Sequence, residues 1–369
     1  MLVLAAAASA FIGLIGEART QAKIVESNES MVGLEILRRD IESAGYGLFW
    51  SWNTAQIAYQ EAAIDPLNAY ASYFNDSPNA PKAIVSMDTT VYSGGNTKFN
   101  GSHYLVIKSM SVARNIAGEK WTYVTVNGAN QWFTNTTTIA NENFQINDRV
   151  IALEIRDPTT RGLVTGASFY TTFTGGNPPF ADTSFVPLDP NDAYVVYGID
   201  SLVGGTPRSP FNRADYFISN PQGTDVLPDR CAPNTGILYK ATMNQTTGQF
   251  SLQSLLDCVA DLQVVYWVDQ TGTGTNFTET TGIWPNGALP LTNQQIRTQV
   301  KQVGVYVLTH EGRQDLAYTF PTNAPNDIYV GDPPLNGRWY TLNQTAGANQ
   351  LHYRWKVYQM LIKPLNLGS

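Results

Sequence analysis

Residues 1–16 read MLVLAAAASAFIGLIG, without one charge, and run with no proline into residues 17–44, EARTQAKIVESNESMVGLEILRRDIESA. In the second stretch Met31, Leu34, Leu37, Ile41 and Ala44 recur three or four residues apart, the spacing of a helical stripe packed on a globular body. The first stretch is apolar all round, with Leu2, Val3, Leu4, Phe11, Ile12, Leu14 and Ile15 as its large side chains. At about 1.5 Å per residue one helix through both stretches would be roughly 65 Å long, beyond the width of a small domain. Its front half is therefore expected to protrude into lipid or into neighbouring copies.

The front half admits two other readings. The run Ala6-Ala7-Ala8-Ser9-Ala10 resembles a signal cleavage region, but a signal peptide wants a basic n-region and the first basic residue is Arg19. A stable transmembrane anchor needs about 20 apolar residues, and this run has sixteen. The expectation is a segment buried in a protein core, or a piece of a longer helix.

Charged residues make up 14% of the 369, against roughly 25% in ordinary soluble proteins, while Asn, Thr, Gly and Tyr are plentiful. Such a composition fits a neutral, polar surface of strands and loops. A net charge of -7, with no long run of Lys or Arg, argues against a nucleic-acid binder. The two cysteines, Cys231 and Cys258, have no CxxC pattern and no nearby His. A disulfide is the expectation in an exported chain, with two buried thiols as the alternative. In the chain-entropy model a bridge closing such a loop stabilises by about 3 to 4 kcal/mol.

Gly45-Tyr46-Gly47 is a plausible helix stop, and Leu48-Phe49-Trp50 could pin the helix end to the body. Beyond it, alternating or β-branched runs predict antiparallel strands at 103–112, 120–126, 149–155, 193–199, 236–242, 262–268, 300–308 and 354–362. Loops are predicted at 175–190, 204–234 and 270–289, and short helices are allowed at 252–261 and 292–302. The expected class is α+β: a long N-terminal helix packed on a large antiparallel β-sheet body. Its divisions are a helix over 1–48 (apolar half 1–16, amphipathic half 17–44), a first β region over 49–190, possibly an elaborated insertion, and a C-terminal β region with the disulfide over 191–369.

Little points to catalysis. His103, His310 and His352 are far apart in sequence, and no nucleophile elbow, zinc helix, phosphate loop or dinucleotide fingerprint occurs. No enzyme activity and no cofactor are expected. Asp269-x-Thr271-x-Thr273-Gly274 opens like a calcium loop, but its twelfth position is Thr280 and only one ligand is a carboxylate, so a surface hairpin is the stronger reading. Asp189, Asn191 and Asp192 form a similar acidic turn.

One segment, Leu34-Glu35-Ile36-Leu37-Arg38-Arg39-Asp40-Ile41-Glu42-Ser43-Ala44-Gly45-Tyr46-Gly47, resembles the end of the first helix in the PilW family of minor type IV pilins. The similarity resumes at Cys231-Ala232-Pro233-Asn234-Thr235-Gly236-Ile237-Leu238-Tyr239-Lys240 and at Leu256-Asp257-Cys258-Val259-Ala260-Asp261-Leu262-Gln263-Val264-Val265. It ends with Val305-Tyr306-Val307-Leu308, Tyr353-Arg354-Trp355-Lys356-Val357-Tyr358 and Lys363-Pro364-Leu365-Asn366-Leu367. The resemblance implies a subunit that sits in the inner membrane and is then built into a surface pilus. Other pilin subunits would be its partners through the helix, possibly with a tip adhesin, and it would help initiate or cap the filament. Pilins carry a glutamate at the fifth mature position, whereas residue five here is Ala5. By the spacing to Ala44-Gly45-Tyr46, either about a dozen residues precede Met1 in a longer helix, or this subunit lacks the glutamate. The alternatives are a major subunit of a pilin-like filament, a type II secretion pseudopilin of the J type, and a secreted carbohydrate-binding β protein.

Overall fold

The computed structural model describes residues 31–368 apart from 52–57, 65, 67–73, 92–98, 128, 134–142, 158–159, 202–204, 284–288, 322–326, 334–335 and 345–348. Among these residues 41% are strand and 12% helical of any kind, and a curled antiparallel sheet dominates. This corrects the expected α+β class: the described part is mostly β, with α1 at 31–42 and α2 at Asn293–Gln299 as its two α-helical segments of more than one residue. A composition rich in Thr, Tyr, Val and Gly-marked turns favours pleated, half-buried strands. The apolar run from Leu2 to Ile15, and with it the long front of the expected helix, lies outside the described residues.

The strands are β1 (Ile84–Asp88), β2 (His103–Ser109), β3 (Trp121–Asn127), β4 (Ala129–Phe133), β5 (Arg149–Asp157), β6 (Thr160–Leu163), β7 (Thr171–Thr172), β8 (Ala193–Asp200), β9 (Asn212–Ser219), β10 (Gly236–Met243), β11 (Phe250–Val268), β12 (Thr278–Thr281), β13 (Val300–Glu311), β14 (Asp327–Asp332), β15 (Asn336–Thr341) and β16 (Arg354–Ile362). An eight-stranded sheet runs β1-β2-β9-β10-β11-β13-β16, with β12 also on β11. A six-stranded sheet runs β4-β3-β8-β5-β6, with β7 on β5, and β14-β15 form a separate ribbon. Since β2 pairs directly with β9, the whole six-stranded sheet is an excursion between two neighbours of the main sheet. The expected division at residue 190 therefore does not follow the sheets: β1 and β2 belong with the C-terminal strands, and β8 belongs with β3 and β5.

Two local expectations also change. Residues 252–261, read as permitting a helix, lie inside the 19-residue β11, whose first half (250–259) pairs with β10 and second half (259–268) with β13. That pairing overrides a weak local propensity. The stretch 204–234, read as loop, contains β9, fully buried at the centre of the sheet. By contrast α2 forms within 292–302, started by a capping box in which Thr292 and Gln295 each satisfy the other's backbone N–H.

Both faces of the central strands are covered. On one face Phe74, Tyr104, Phe217 and Tyr239 stack in a column across β2, β9 and β10, with centroids 5.2, 5.4 and 5.9 Å apart. Such offset pairs add to the area they bury. On the other face lies α1, whose Leu34, Leu37, Ile41 and Ala44 enter the main core together with Leu105, Leu238 and Leu256.

Candidate functional site

The helix–body seam is built from one side of α1. Gly33, Leu34, Leu37, Asp40, Ile41 and Ala44 are buried. At about 100° per residue these positions all fall within roughly 60° of Leu37, whereas Met31 lies some 120° away. Met31 is accordingly 61% exposed, and its expected place in the seam is corrected. Spacing alone admitted it, but angle excludes it. A Cβ on Gly33 would overlap the carbonyl oxygen of Leu255 on β11, so glycine lets helix and strand backbones touch. The outward side is a charge ladder, with Arg38 Nε 3.1 Å from Glu42 and Arg39 Nε 3.5 Å from Glu35, both exposed. Such pairs contribute little to stability.

Asp40 is a carboxylate in the middle of the apolar stripe. Its Oδ2 accepts a hydrogen bond from the Tyr216 hydroxyl on β9 at 2.5 Å and from Lys240 Nζ on β10. All three side chains are buried. Burial pushes the Lys240 ammonium below its ordinary value, and Asp40 pulls it back. Burial, reinforced by Asp40, drives the Tyr216 hydroxyl well above its ordinary value. The trio pins the helix at one rotation and one height on the sheet.

The helix ends where the tail returns. Gly45 adopts φ +83°, a left-handed conformation that L side chains resist, and a Cβ there would sit 3.1 Å from Leu367. Gly45 N–H donates to the Lys108 carbonyl at 3.0 Å, and Leu365 N–H donates to the Glu42 carbonyl at 2.9 Å. A small cleft forms beside this junction, lined by Leu48, Phe49, Trp50, Pro81, Arg297 and Asn366 among others. The Arg297 and Arg161 guanidinium carbons lie 3.7 and 4.6 Å from the Trp50 ring centroid.

Cys231 and Cys258 are joined in a disulfide with Cα atoms 4.8 Å apart. The residues after Cys231 dock on the far strands: Ala232 N–H donates to His310 Nε2 at 2.7 Å, and Gln350 Nε2 donates to the Pro233 carbonyl at 2.6 Å. His310 packs against Tyr353 and Trp355, with centroids 4.6 and 5.2 Å away. Burial, aided by the positive charge of Arg230, pushes its pKa down to about 4. The segments that carry the resemblance thus meet in two adjoining places, the helix junction and the disulfide junction, connected through β10 and β11.

The remaining predicted positions stay apart. Asp269 is buried and accepts from Gly274 N–H at 2.8 Å, Thr273 N–H at 3.2 Å and the Thr271 hydroxyl at 3.2 Å. Burial opposes its charge, yet these donors hold its pKa below the usual carboxylate value. Its oxygens organise the loop itself, and no cluster of three metal-ligating side chains occurs among the described residues. Asp189 caps its own turn through Asn191. His103 accepts from Val264 N–H at 3.1 Å inside the sheet, and His352 bonds the Tyr318 carbonyl, so the three histidines serve different local contacts. Among the described residues no helix is long and apolar enough to cross a membrane.

Sequence reasoning missed the buried ion pairs. Besides Asp40–Lys240 they include Arg213–Asp215, Lys108 with Asp76 and Glu61, and Lys120–Asp148. One signal was present: Asp40 sits three residues after Leu37 and four before Ala44, inside the stripe. Comparison with protein-family models, with curated proteins and with solved structures finds no match.

Proposed function

We propose that this chain is a structural subunit of a type IV pilus or related filament, a PilW-like minor pilin that helps initiate or cap the filament and presents its β body at the tip. The supporting observation is the seam. Helix α1 is clamped to a large β body by an apolar stripe, a backbone contact at Gly33 and a buried Asp40–Lys240 pair, while Met31 and Val32, the first described residues, are 61% and 63% exposed. The uncharged run 1–16 lies upstream in the sequence, separated from Met31 by the polar residues 17–30. An uncharged apolar segment is favoured in lipid and equally among other apolar protein surfaces. The subunit therefore waits in the inner membrane before assembly and joins neighbouring subunits afterwards, with the β body outside the cell.

The test is intact-mass and N-terminal peptide analysis of the native protein in sheared surface filaments. Recovery at a few copies per filament, with deletion of the gene lowering filament number, is the expected result. Recovery at a copy for every repeat would make it the major subunit. A soluble secreted species with a mature start near Phe11 would overturn the filament role.

A further inference from the structure

The Arg161–Trp50–Arg297 stack stands out by its electrostatics. In a chain of net charge -7, the fully buried cations Lys108, Lys120, Arg213 and Lys240 each face a carboxylate. Arg161 and Arg297 are half-buried, and among the described residues neither guanidinium has an acid or a hydrogen-bonded acceptor. Burial and the neighbouring Arg161 charge both push Arg297 below its ordinary value. Two like charges held against one indole, with no carboxylate opposite them among the described residues, form a prepared site. The indole faces orient the planar forks and lower the entropy lost when a planar anion is bound. The site also opens beside the helix junction, where Gly45, Leu48 and Asn366 line the cleft.

We infer that this stack is an interaction surface for another polypeptide, receiving an exposed Asp or Glu side chain of a neighbouring filament subunit at the foot of α1. Carboxylates match the bidentate geometry of guanidinium forks, and Trp and Arg are the residue types that dominate binding energy at protein interfaces. The inference rests on the filament reading for the identity of the partner, but not for the chemistry of the site.

The test places a lysine at each position. Cells expressing full-length Arg161→Lys or Arg297→Lys protein are treated with a zero-length carbodiimide and then fractionated. The expected result is an intermolecular crosslink from position 161 or 297 to an Asp or Glu of another pilin subunit, found in the filament fraction and absent from wild type. The same kind of crosslink found only outside filaments would keep the interaction surface and sink the filament reading. No crosslink, in variants whose melting curves match wild type, would overturn the inference. A second arm does not depend on lysine geometry. Arg161→Gln/Arg297→Gln is expected to lower the amount of the protein retained in sheared filaments by about tenfold or more. Unchanged retention, or loss restricted to binding of anionic lipid vesicles by the purified protein, would also overturn it.

Discussion

Replacing Asp40 by alanine tests what fixes the helix on the body. The substitution removes the only acid facing Lys240 Nζ among the described residues, and the partner of the Tyr216 hydroxyl. The Lys240 side chain is 2% exposed, so its ammonium is left without water or counter-charge. Breaking a buried pair in this way costs about 3–5 kcal/mol. The double variant Asp40→Ala/Lys240→Met removes the stranded charge and leaves the Tyr216 hydroxyl, an orphan worth about 1–3 kcal/mol. Urea unfolding of the full chain in mild detergent, followed by tryptophan fluorescence, should show a large loss for the single variant and a partial recovery in the double. A coupling energy near 2–3 kcal/mol is expected, whereas independent sites add to within about 0.5 kcal/mol. The single variant's deficit should also shrink as pH rises. Without Asp40 the folded state holds Lys240 below its unfolded pKa, the unfolded chain binds more protons, and stability climbs with pH. Additive single and double variants, or a pH-independent deficit, would refute the clamp.

Three further outcomes follow from the same structure. Leu37→Asp puts an unpaired carboxylate at a fully buried seam position, so the β body should fail to fold rather than merely fail to assemble; a soluble body melting like wild type would remove α1 from the core. Reducing the Cys231–Cys258 bridge, which spans 27 residues, or replacing both cysteines by serine, should cost about 3.5 kcal/mol in the chain-entropy model, read as a shift in urea midpoint with and without reductant. His310 is held at a pKa of about 4, below its unfolded value of about 6.5. Its neutral form therefore contributes stability that is complete above pH 6.5 or so and is lost as pH falls toward 4, amounting to about 3 kcal/mol at most. His310→Gln should flatten that part of the stability–pH curve, and an unchanged slope would assign it elsewhere, with the similarly depressed His103 as the next residue to replace.

Much of the strand content was legible because its signal is local. Runs such as 103–109 and 300–308 combine β-branched residues with flanking turns, and both became buried strands. The seam was legible in four of five positions, because Leu34, Leu37, Ile41 and Ala44 share one helical face, and Met31 fell off it by angle. The failures have a common cause. Residues 212–219, NRADYFIS, carry Asn, Arg, Asp and Ser, so their polarity reads as loop. They are buried because Arg213 pairs with Asp215 through two hydrogen bonds of 2.7 Å and because Tyr104 bonds the same carboxylate. Residues 252–261 read as a possible helix because nothing in them announces that β10 supplies their strand partner.

Local periodicity and composition determined, from the sequence alone, an amphipathic helix end at 31–44, a strand-rich body and a pair of cysteines that could be joined. The tertiary structure decided that the described body is mostly β, that strands β3 to β8 form a second sheet between two neighbours of the first, and that Asp40 meets Lys240 across 200 residues. Those outcomes depend on which strands pair and on charges that are tolerable only when buried opposite each other. Neither condition is a property of any one segment, so no reading of neighbouring residues contains it.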